Sequence, residues 1–171
     1  MRVISLHQPW ATLMALGFKT IETRGYGTKC RGQLAIHAAK TIPAYAVDAI
    51  RNNRTIREIL LRAYPPEDGH AVLGFPKKSL PLGKILCVVS LDGCVEMKVN
   101  SIGQGQLCNW DEMKRYASPS AQLTIEWDLG NWADGRYAWI TSNLRHLKNP
   151  IEASGKQGFW NYDTDAIMGA L

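Results

Sequence analysis

Apolar residues recur along the chain with two different periods, one typical of strands and one typical of helices. The segments with a strand pattern are residues 1–6, 19–24, 33–38, 83–91 and 136–144. Three of them alternate apolar and polar positions, which predicts strands with one covered face. Residues 83–91 are almost entirely apolar, and we therefore expect them to form a central strand that is covered on both faces.

Helical signals follow the first strand and then cluster ahead of the nearly all-apolar segment. Pro9 suits the first turn of a short helix, and Gly17 occupies the position where a left-handed residue ends it. A second helix is predicted over residues 43–52, where apolar residues have helical spacing. Thr55 and Glu58 predict a capping box that begins a third helix.

This order of elements predicts an α+β fold. Because strands outnumber helices and the two do not alternate, we expect a mixed, mostly antiparallel sheet or small barrel with helices at its side. Asn109 is expected to cap a further short helix, whereas residues 118–132 carry no clear pattern. The length fits a single domain over residues 1–162. We expect residues 163–171 to form a loosely attached C-terminal tail.

The charge balance adds a preference among partners. The chain has 171 residues, with 20 Lys and Arg against 15 Asp and Glu, and a net charge of +5. This charge favours anionic partners such as nucleic acids, although an inert basic surface has the same composition. No segment approaches the roughly 20 apolar residues that span a bilayer, and the first residues lack a secretory signal pattern. We therefore expect a cytoplasmic protein without a membrane partner.

No metal or cofactor is expected. The four cysteines lack C-x-x-C spacing and the four histidines are scattered singly, so a structural zinc site is not predicted. The glycine-rich motifs of dinucleotide-binding and P-loop proteins are also missing from the sequence. Reduced thiols are the expected state of the cysteines.

The segment with the most informative chemistry includes Gly17-x-Lys19-x-x-Glu22-x-Arg24. Charges beside an apolar segment cost desolvation unless they pair or face a cleft. Lys19 and Arg24 can donate to a phosphate or a base carbonyl, and Glu22 can accept from an exocyclic amine or neutralise Arg24. A structural ion pair in a strand is the alternative. Strict alternation separates Lys19 from Glu22, so they converge only if Lys19 belongs to the preceding turn or a bulge re-aims it.

Five more residues are candidates for ligand binding, each with a structural alternative. The amide of Gln8 can read a base edge or cap the first helix, and Trp10 can stack on a base or pack in the core. The imidazole of His37 can enter the cleft or form satisfied hydrogen bonds inside the fold. Arg31 and Lys40 can hold a phosphate backbone or be ordinary solvated side chains.

Three ordered motifs closely resemble the ASCH domain family of the PUA-like superfamily, which takes its name from the activating signal cointegrator. They are Ser5-Leu6-His7-Gln8-Pro9-Trp10-Ala11, Gly17-x-Lys19-x-x-Glu22-x-Arg24 and Arg31-Gly32-x-Leu34-x-Ile36-His37-Ala38. The stretch from Gly135 to Trp160 resembles the C-terminal part of the same domain. The resemblance implies a PUA-like β-barrel with flanking helices, a cleft lined by the second motif, and binding of or action on RNA or DNA.

Two functions follow from this resemblance. The first is a nucleic-acid-binding domain that prefers RNA or single-stranded bases. The alternative is a hydrolase of a modified nucleoside, such as the amide of acetylated cytidine, or of single-stranded RNA, with Lys19 and Glu22 as catalytic groups. Some relatives cleave acetylated cytidine with a lysine, a threonine and a distant glutamate. Lys19 matches that lysine, but Glu22 stands where the threonine is expected, so whether the protein is an enzyme stays open.

Overall fold

A computed structural model describes residues 1–65, 80–98 and 123–171. The strands in this part are β1 (Arg2–Leu6), β2 (Ile21–Arg24), β3 (Gly32–Ala38), β4 (Lys84–Glu96), β5 (Tyr137–Glu152) and β6 (Phe159–Asn161). The helices in the same part are α1 (Trp10–Ala15), α2 (Ala44–Asn52), α3 (Arg54–Ala63), α4 (Leu123–Leu129) and α5 (Thr164–Ala170). Among these described helices, none is long and apolar enough to cross a membrane.

The six described strands form one mixed sheet in the order β2-β5-β4-β3-β1-β6, curled into a half-barrel with helices beside it. Strands β1 and β3 are parallel, and the other four pairings are antiparallel. The predicted α+β class and mostly antiparallel sheet are therefore confirmed. Strand β4 is longer than predicted because a register shift between Leu91 and Gly93 lets it continue along β5.

The apolar residues of the central strands contribute to two cores, one on each face of the sheet. On one face, Ile36 of β3 packs in a cluster with Met14 of α1. On the other face, Val88 of β4 packs in a cluster with Ile167 of α5. This arrangement confirms the expectation that residues 83–91 form a strand covered on both sides.

The first helix ends as predicted, but the prediction of a Thr55–Glu58 capping box at the start of the third helix is wrong. Gly17 has a φ of +78°, the left-handed conformation that terminates α1. The N-cap of α3 is Asn53, whose side chain accepts a hydrogen bond from the amide of Ile56 at 3.0 Å. Thr55 instead donates to Asp128 at 2.6 Å, because α4 packs beside this end of α3.

Two further segments of the sequence analysis lie between β4 and β5. Helix α4 lies within residues 118–132, which carry no clear sequence pattern. The short helix predicted after Asn109 lies outside the described residues.

The C-terminal residues are firmly packed, so the expectation of a loosely attached tail is wrong. Asp163 caps α5 by accepting from the amide of Asp165 at 2.9 Å. Ile167 is completely buried against the sheet. This short helix therefore has enough apolar surface to dock on the sheet, although its sequence carries no strong signal for it. The domain limits of 1–162 stay a prediction.

Substitution of Ile167 tests this attachment. Removing a buried isoleucine side chain costs about 2–5 kcal/mol of unfolding free energy, so we expect Ile167→Ala to lose an amount in this range in urea denaturation. Met168→Ala is the control, because Met168 is exposed on the same helix. Equal stability of the two variants would contradict the docking of α5.

Candidate ligand-binding site

A cavity of about 840 Å³, called the first cavity below, lies between the sheet and helices α1 and α2. Strand β2 contributes Glu22 and Arg24 to its wall, and α2 contributes Tyr45 and Asp48. The lining also includes His7 from the loop before α1, Trp10 from α1, Tyr26 from the loop after β2, Asp128 from α4, and Arg136. The cavity thus combines aromatic rings with carboxylates and guanidinium groups.

Lys19, Glu22 and Arg24 form a continuous ionic cluster. The Lys19 ammonium lies 3.7 Å from Oε2 of Glu22, and Oε1 of the same carboxylate lies 3.6 Å from Nε of Arg24. Lys19 precedes β2, which begins at Ile21. It therefore belongs to the turn after α1, the condition under which the sequence predicted that its side chain reaches Glu22.

The cluster runs from the interior to the cavity wall. The Lys19 side chain is completely buried and donates to the carbonyl of Ile21, and it does not line the first cavity. Glu22 and Arg24 do line it, with 13% and 24% of their side chains exposed. A ligand in the cavity can therefore touch Glu22 and Arg24 directly, whereas Lys19 acts through the position of Glu22.

A second carboxylate, Glu126 of α4, supports the same turn. Its Oε1 accepts from the backbone amide and the hydroxyl of Thr20, the latter at 2.7 Å, and from the amide of Ile21 at 3.2 Å. Burial raises the pKa of Glu126, while the nearby Lys19 ammonium and these hydrogen bonds act in the opposite direction. Glu126 was not among the residues predicted from the sequence. It lies three residues before Leu129, and this spacing places a carboxylate on the apolar face of the helix, which could have indicated a buried polar contact.

Arg24 is oriented by aromatic rings. Its guanidinium carbon lies 6.0 Å from the ring centre of Tyr26 and 5.8 Å from that of Trp139. Nη2 donates to the carbonyl of Ser5 at 3.3 Å. Nε is buried and has no hydrogen bond within the described part of the chain. Nε instead lies 3.6 Å from the Glu22 carboxylate, so these contacts hold the partly exposed guanidinium in one orientation at the cavity wall.

Tyr45 and Trp10 form an aromatic wall of the first cavity. Their rings are stacked with centres 5.9 Å apart, and 57% of Tyr45 is exposed. The Tyr45 hydroxyl is hydrogen-bonded to Nδ1 of His7. Burial raises the pKa of Tyr45 and lowers that of His7, so both groups favour their neutral forms. Trp10 also packs against the helical core, which corresponds to its structural alternative.

Gln8 is not brought to the cavity. It is completely buried, its Oε1 accepts from the amide of Thr12 at 3.1 Å, and its Nε2 donates to the carbonyl of Pro81 at 2.7 Å. The amide therefore anchors α1, which corresponds to the capping alternative.

His37 is engaged inside the fold. Its Nε2 lies 3.2 Å from the carbonyl of Ala153 and its Nδ1 lies 3.0 Å from Oγ of Ser5. A carbonyl accepts only, so Nε2 carries the proton and Nδ1 accepts from the Ser5 hydroxyl. Burial lowers the pKa of His37, which favours this neutral form. Oγ of Ser5 also accepts from the indole of Trp160 at 3.2 Å, so the group is a satisfied structural network.

The last two candidates lie apart from the first cavity. Arg31 is exposed and donates to the carbonyls of Thr28 and Cys30, at 3.0 and 2.7 Å. Lys40 lines a second cavity of about 580 Å³ on the other side of Arg24. Within the described residues, no three His, Cys, Asp or Glu side chains converge as metal ligands would.

Comparisons with known proteins agree with the sequence motifs. The sequence model of the ASCH domain matches residues 4–151. Activating signal cointegrator 1 of Mus musculus is 26% identical over 167 residues, which are 98% of this chain and 23% of that protein. The chain thus spans about a quarter of the length of this curated relative.

Solved structures of similar architecture include the ASCH protein from Zymomonas mobilis. It is 15% identical, with a TM-score of 0.48, and the alignment covers 96% of this chain and 88% of that one. A mutant form of the same protein is 13% identical, with a TM-score of 0.48 and coverage of 98% and 94%.

The pH dependence of stability tests the position of Glu126. Because its folded-state pKa is raised from 4.5, its contribution to stability is complete below that pH and is lost as pH rises through the folded-state pKa. The neutral variant Glu126→Gln lacks this loss. We therefore expect wild type to lose stability relative to the variant as pH rises above 4.5, by at most about 1.4 kcal/mol per pH unit.

Urea denaturation at a series of pH values measures this difference. The control is Glu152→Gln, because Glu152 is paired with Lys84 on the surface with 82% of its side chain exposed. If the stability of wild type relative to Glu126→Gln stays constant or rises with increasing pH, the raised pKa of Glu126 is contradicted.

Proposed function

Because the chain belongs to the ASCH domain family, we propose that it is a cytoplasmic protein that binds RNA and holds one unpaired base in the first cavity. The family is associated with RNA binding. The observation that carries the proposal is the aromatic wall of Tyr45 and Trp10 in the same cavity as the Glu22 and Arg24 pair.

The aromatic wall supports recognition of a base by stacking. A base stacked on an aromatic side chain contributes about 1–3 kcal/mol, whatever the base. The exposed ring of Tyr45 is available for this contact, and Trp10 behind it limits its movement. A volume of about 840 Å³ is within the usual range for small-molecule sites and can hold a nucleoside.

The ionic pair supports recognition of a base edge. Glu22 offers acceptors and Arg24 offers donors within one cavity wall, and the Watson–Crick edge of a base carries both kinds of group. In a duplex this edge is already paired, so the site favours single-stranded segments, loops or flipped-out bases. RNA that exposes such a base is therefore the preferred ligand.

The cysteines agree with a cytoplasmic location. Cys30, Cys87 and Cys94, the cysteines in the described residues, are all free thiols. Free thiols are the normal state in the reducing environment of the cytoplasm.

Hydrolysis finds less support than binding. Acid–base catalysis requires a group within hydrogen-bond reach of the substrate. The Lys19 ammonium is completely buried behind Glu22, which leaves a substrate in the first cavity without direct contact to it.

Binding of a short single-stranded RNA tests the proposed function. Wild type is expected to bind an eight-nucleotide RNA of mixed sequence in fluorescence anisotropy at low salt, with weaker binding as salt rises. We expect Tyr45→Ala to weaken binding by about 5- to 150-fold, the equivalent of about 1–3 kcal/mol of stacking. Because Tyr45 is largely exposed, the thermal stability of the Tyr45→Ala variant should stay near that of wild type.

Phe18→Ala is the matched control, because Phe18 is an exposed aromatic residue that lines neither cavity. It is expected to bind like wild type. No binding by wild type at low salt, or equal binding by the two variants, would overturn the proposal.

A further inference from the structure

The second cavity adjoins the first and differs from it in charge. Its lining consists of Ser5, His7, Arg24, Tyr26, His37, Ala39, Lys40 and the loop 154–158, which includes Lys156. Four of these residues, Ser5, His7, Arg24 and Tyr26, also line the first cavity. The two cavities are therefore joined along one wall, with the Arg24 guanidinium at the junction.

The carboxylates are confined to the first cavity. Its lining includes Glu22, Asp48 and Asp128. The lining of the second cavity includes three basic side chains, Arg24, Lys40 and Lys156, and no carboxylate. The first cavity also includes Arg24 and Arg136 and is therefore mixed in charge, whereas the charged side chains that line the second are all basic. A phosphate is therefore favoured in the second cavity, and the amino groups of a base find acceptors among the carboxylates of the first.

Backbone packing gives the second cavity its shape. The aliphatic part of Lys40 lies over Gly83, where a Cβ atom would be 3.0 Å from Cγ of Lys40. Gly155 approaches Ser5 so closely that a Cβ atom there would lie 2.8 Å from the Ser5 hydroxyl oxygen. Both glycines therefore permit contacts that a side chain would prevent, one under a cation and one in the loop that closes the cavity.

The two lysines of this cavity are not neutralised by the protein. The ion pairs found among the described residues use Lys19, Arg24, Arg54 and Lys84 as their cations. Within that part of the chain, Lys40 and Lys156 have no carboxylate partner. Their charges are therefore available to an external anion.

We propose that the second cavity binds a phosphodiester of single-stranded RNA, directly adjoining the base in the first cavity, so that the strand crosses Arg24. This inference rests on the proposed function, since it assigns the base to the first cavity. It adds a path for the backbone and a role for Lys156 that no sequence motif indicated. Arg24 then contacts both parts of one nucleotide, its base and its phosphate.

The salt dependence of RNA binding measures the phosphate contacts. For single-stranded nucleic acid, each neutralised phosphate contributes about 0.7 to the slope of log K against log salt. The double variant Lys40→Gln/Lys156→Gln removes two of the three basic side chains that would neutralise the phosphate in the second cavity. It is therefore expected to lower the magnitude of the slope by up to about 0.7 and to weaken binding at low salt.

The matched control is Lys29→Gln/Lys148→Gln, which removes the same charge from exposed lysines that line neither cavity. It is expected to keep a slope near that of wild type. If wild type binds RNA and the two double variants have equal slopes, the phosphate site is overturned while the proposed base site stands. If wild type does not bind RNA at all, both proposals fail.

Inorganic phosphate distinguishes a strand from a free anion as the ligand. At constant ionic strength, it is expected to displace the RNA from wild type only at concentrations far above the Kd of the strand, because the free ion lacks the base contacts. Displacement at concentrations comparable to that Kd would overturn the assignment of the cavity to an RNA backbone.

Discussion

The buried ammonium of Lys19 is the interaction on which the arrangement of the candidate site depends. An ion without water costs several kcal/mol unless charges and hydrogen bonds compensate it. Here the compensation comes from Glu22 at 3.7 Å and the carbonyl of Ile21, with the carboxyl group of Glu126 near the same turn. Because Glu126 also accepts hydrogen bonds from Thr20, this ionic group connects α4 to the start of β2. The helix and the strand that enclose the first cavity are thereby held together.

From the buried Lys19, the ionic cluster extends outward to the wall of the first cavity. Lys19 fixes one oxygen of Glu22 and Arg24 lies near the other, while the rings of Tyr26 and Trp139 limit the movement of the guanidinium. The site is therefore preorganised before a ligand arrives, which reduces the entropy lost on binding. Among the described lining residues, the carboxylates belong to the first cavity, whereas Lys40 and Lys156 line the second.

Local sequence signals predicted much of this architecture, and long-range contacts account for the rest. The alternation of apolar residues and the stop at Gly17 were sufficient for the first strands and the end of α1, although β2 begins at Ile21 and leaves Lys19, which was assigned to the strand, in the preceding turn. The roles of Gln8 and His37 depended on partners far away in sequence, Pro81 and Ala153, which no local pattern reveals. The spacing of Glu126 from Leu129 indicated a carboxylate on an apolar helix face, but not its partners, because its hydrogen-bond donors are more than 100 residues away. The family motifs did not distinguish side chains that line the first cavity, such as Glu22 and Arg24, from those that are buried outside it, such as Gln8 and Lys19.

A double-mutant cycle on Lys19→Met and Glu22→Gln tests the central claim most directly. The unfolding free energies of wild type, both single variants and the double variant give the coupling between the two side chains, free of their separate contributions. If the buried ammonium is compensated by this carboxylate, the coupling is about 1–3 kcal/mol, as for residues in one network. A coupling below about 0.3 kcal/mol, the value for independent positions, would contradict the account.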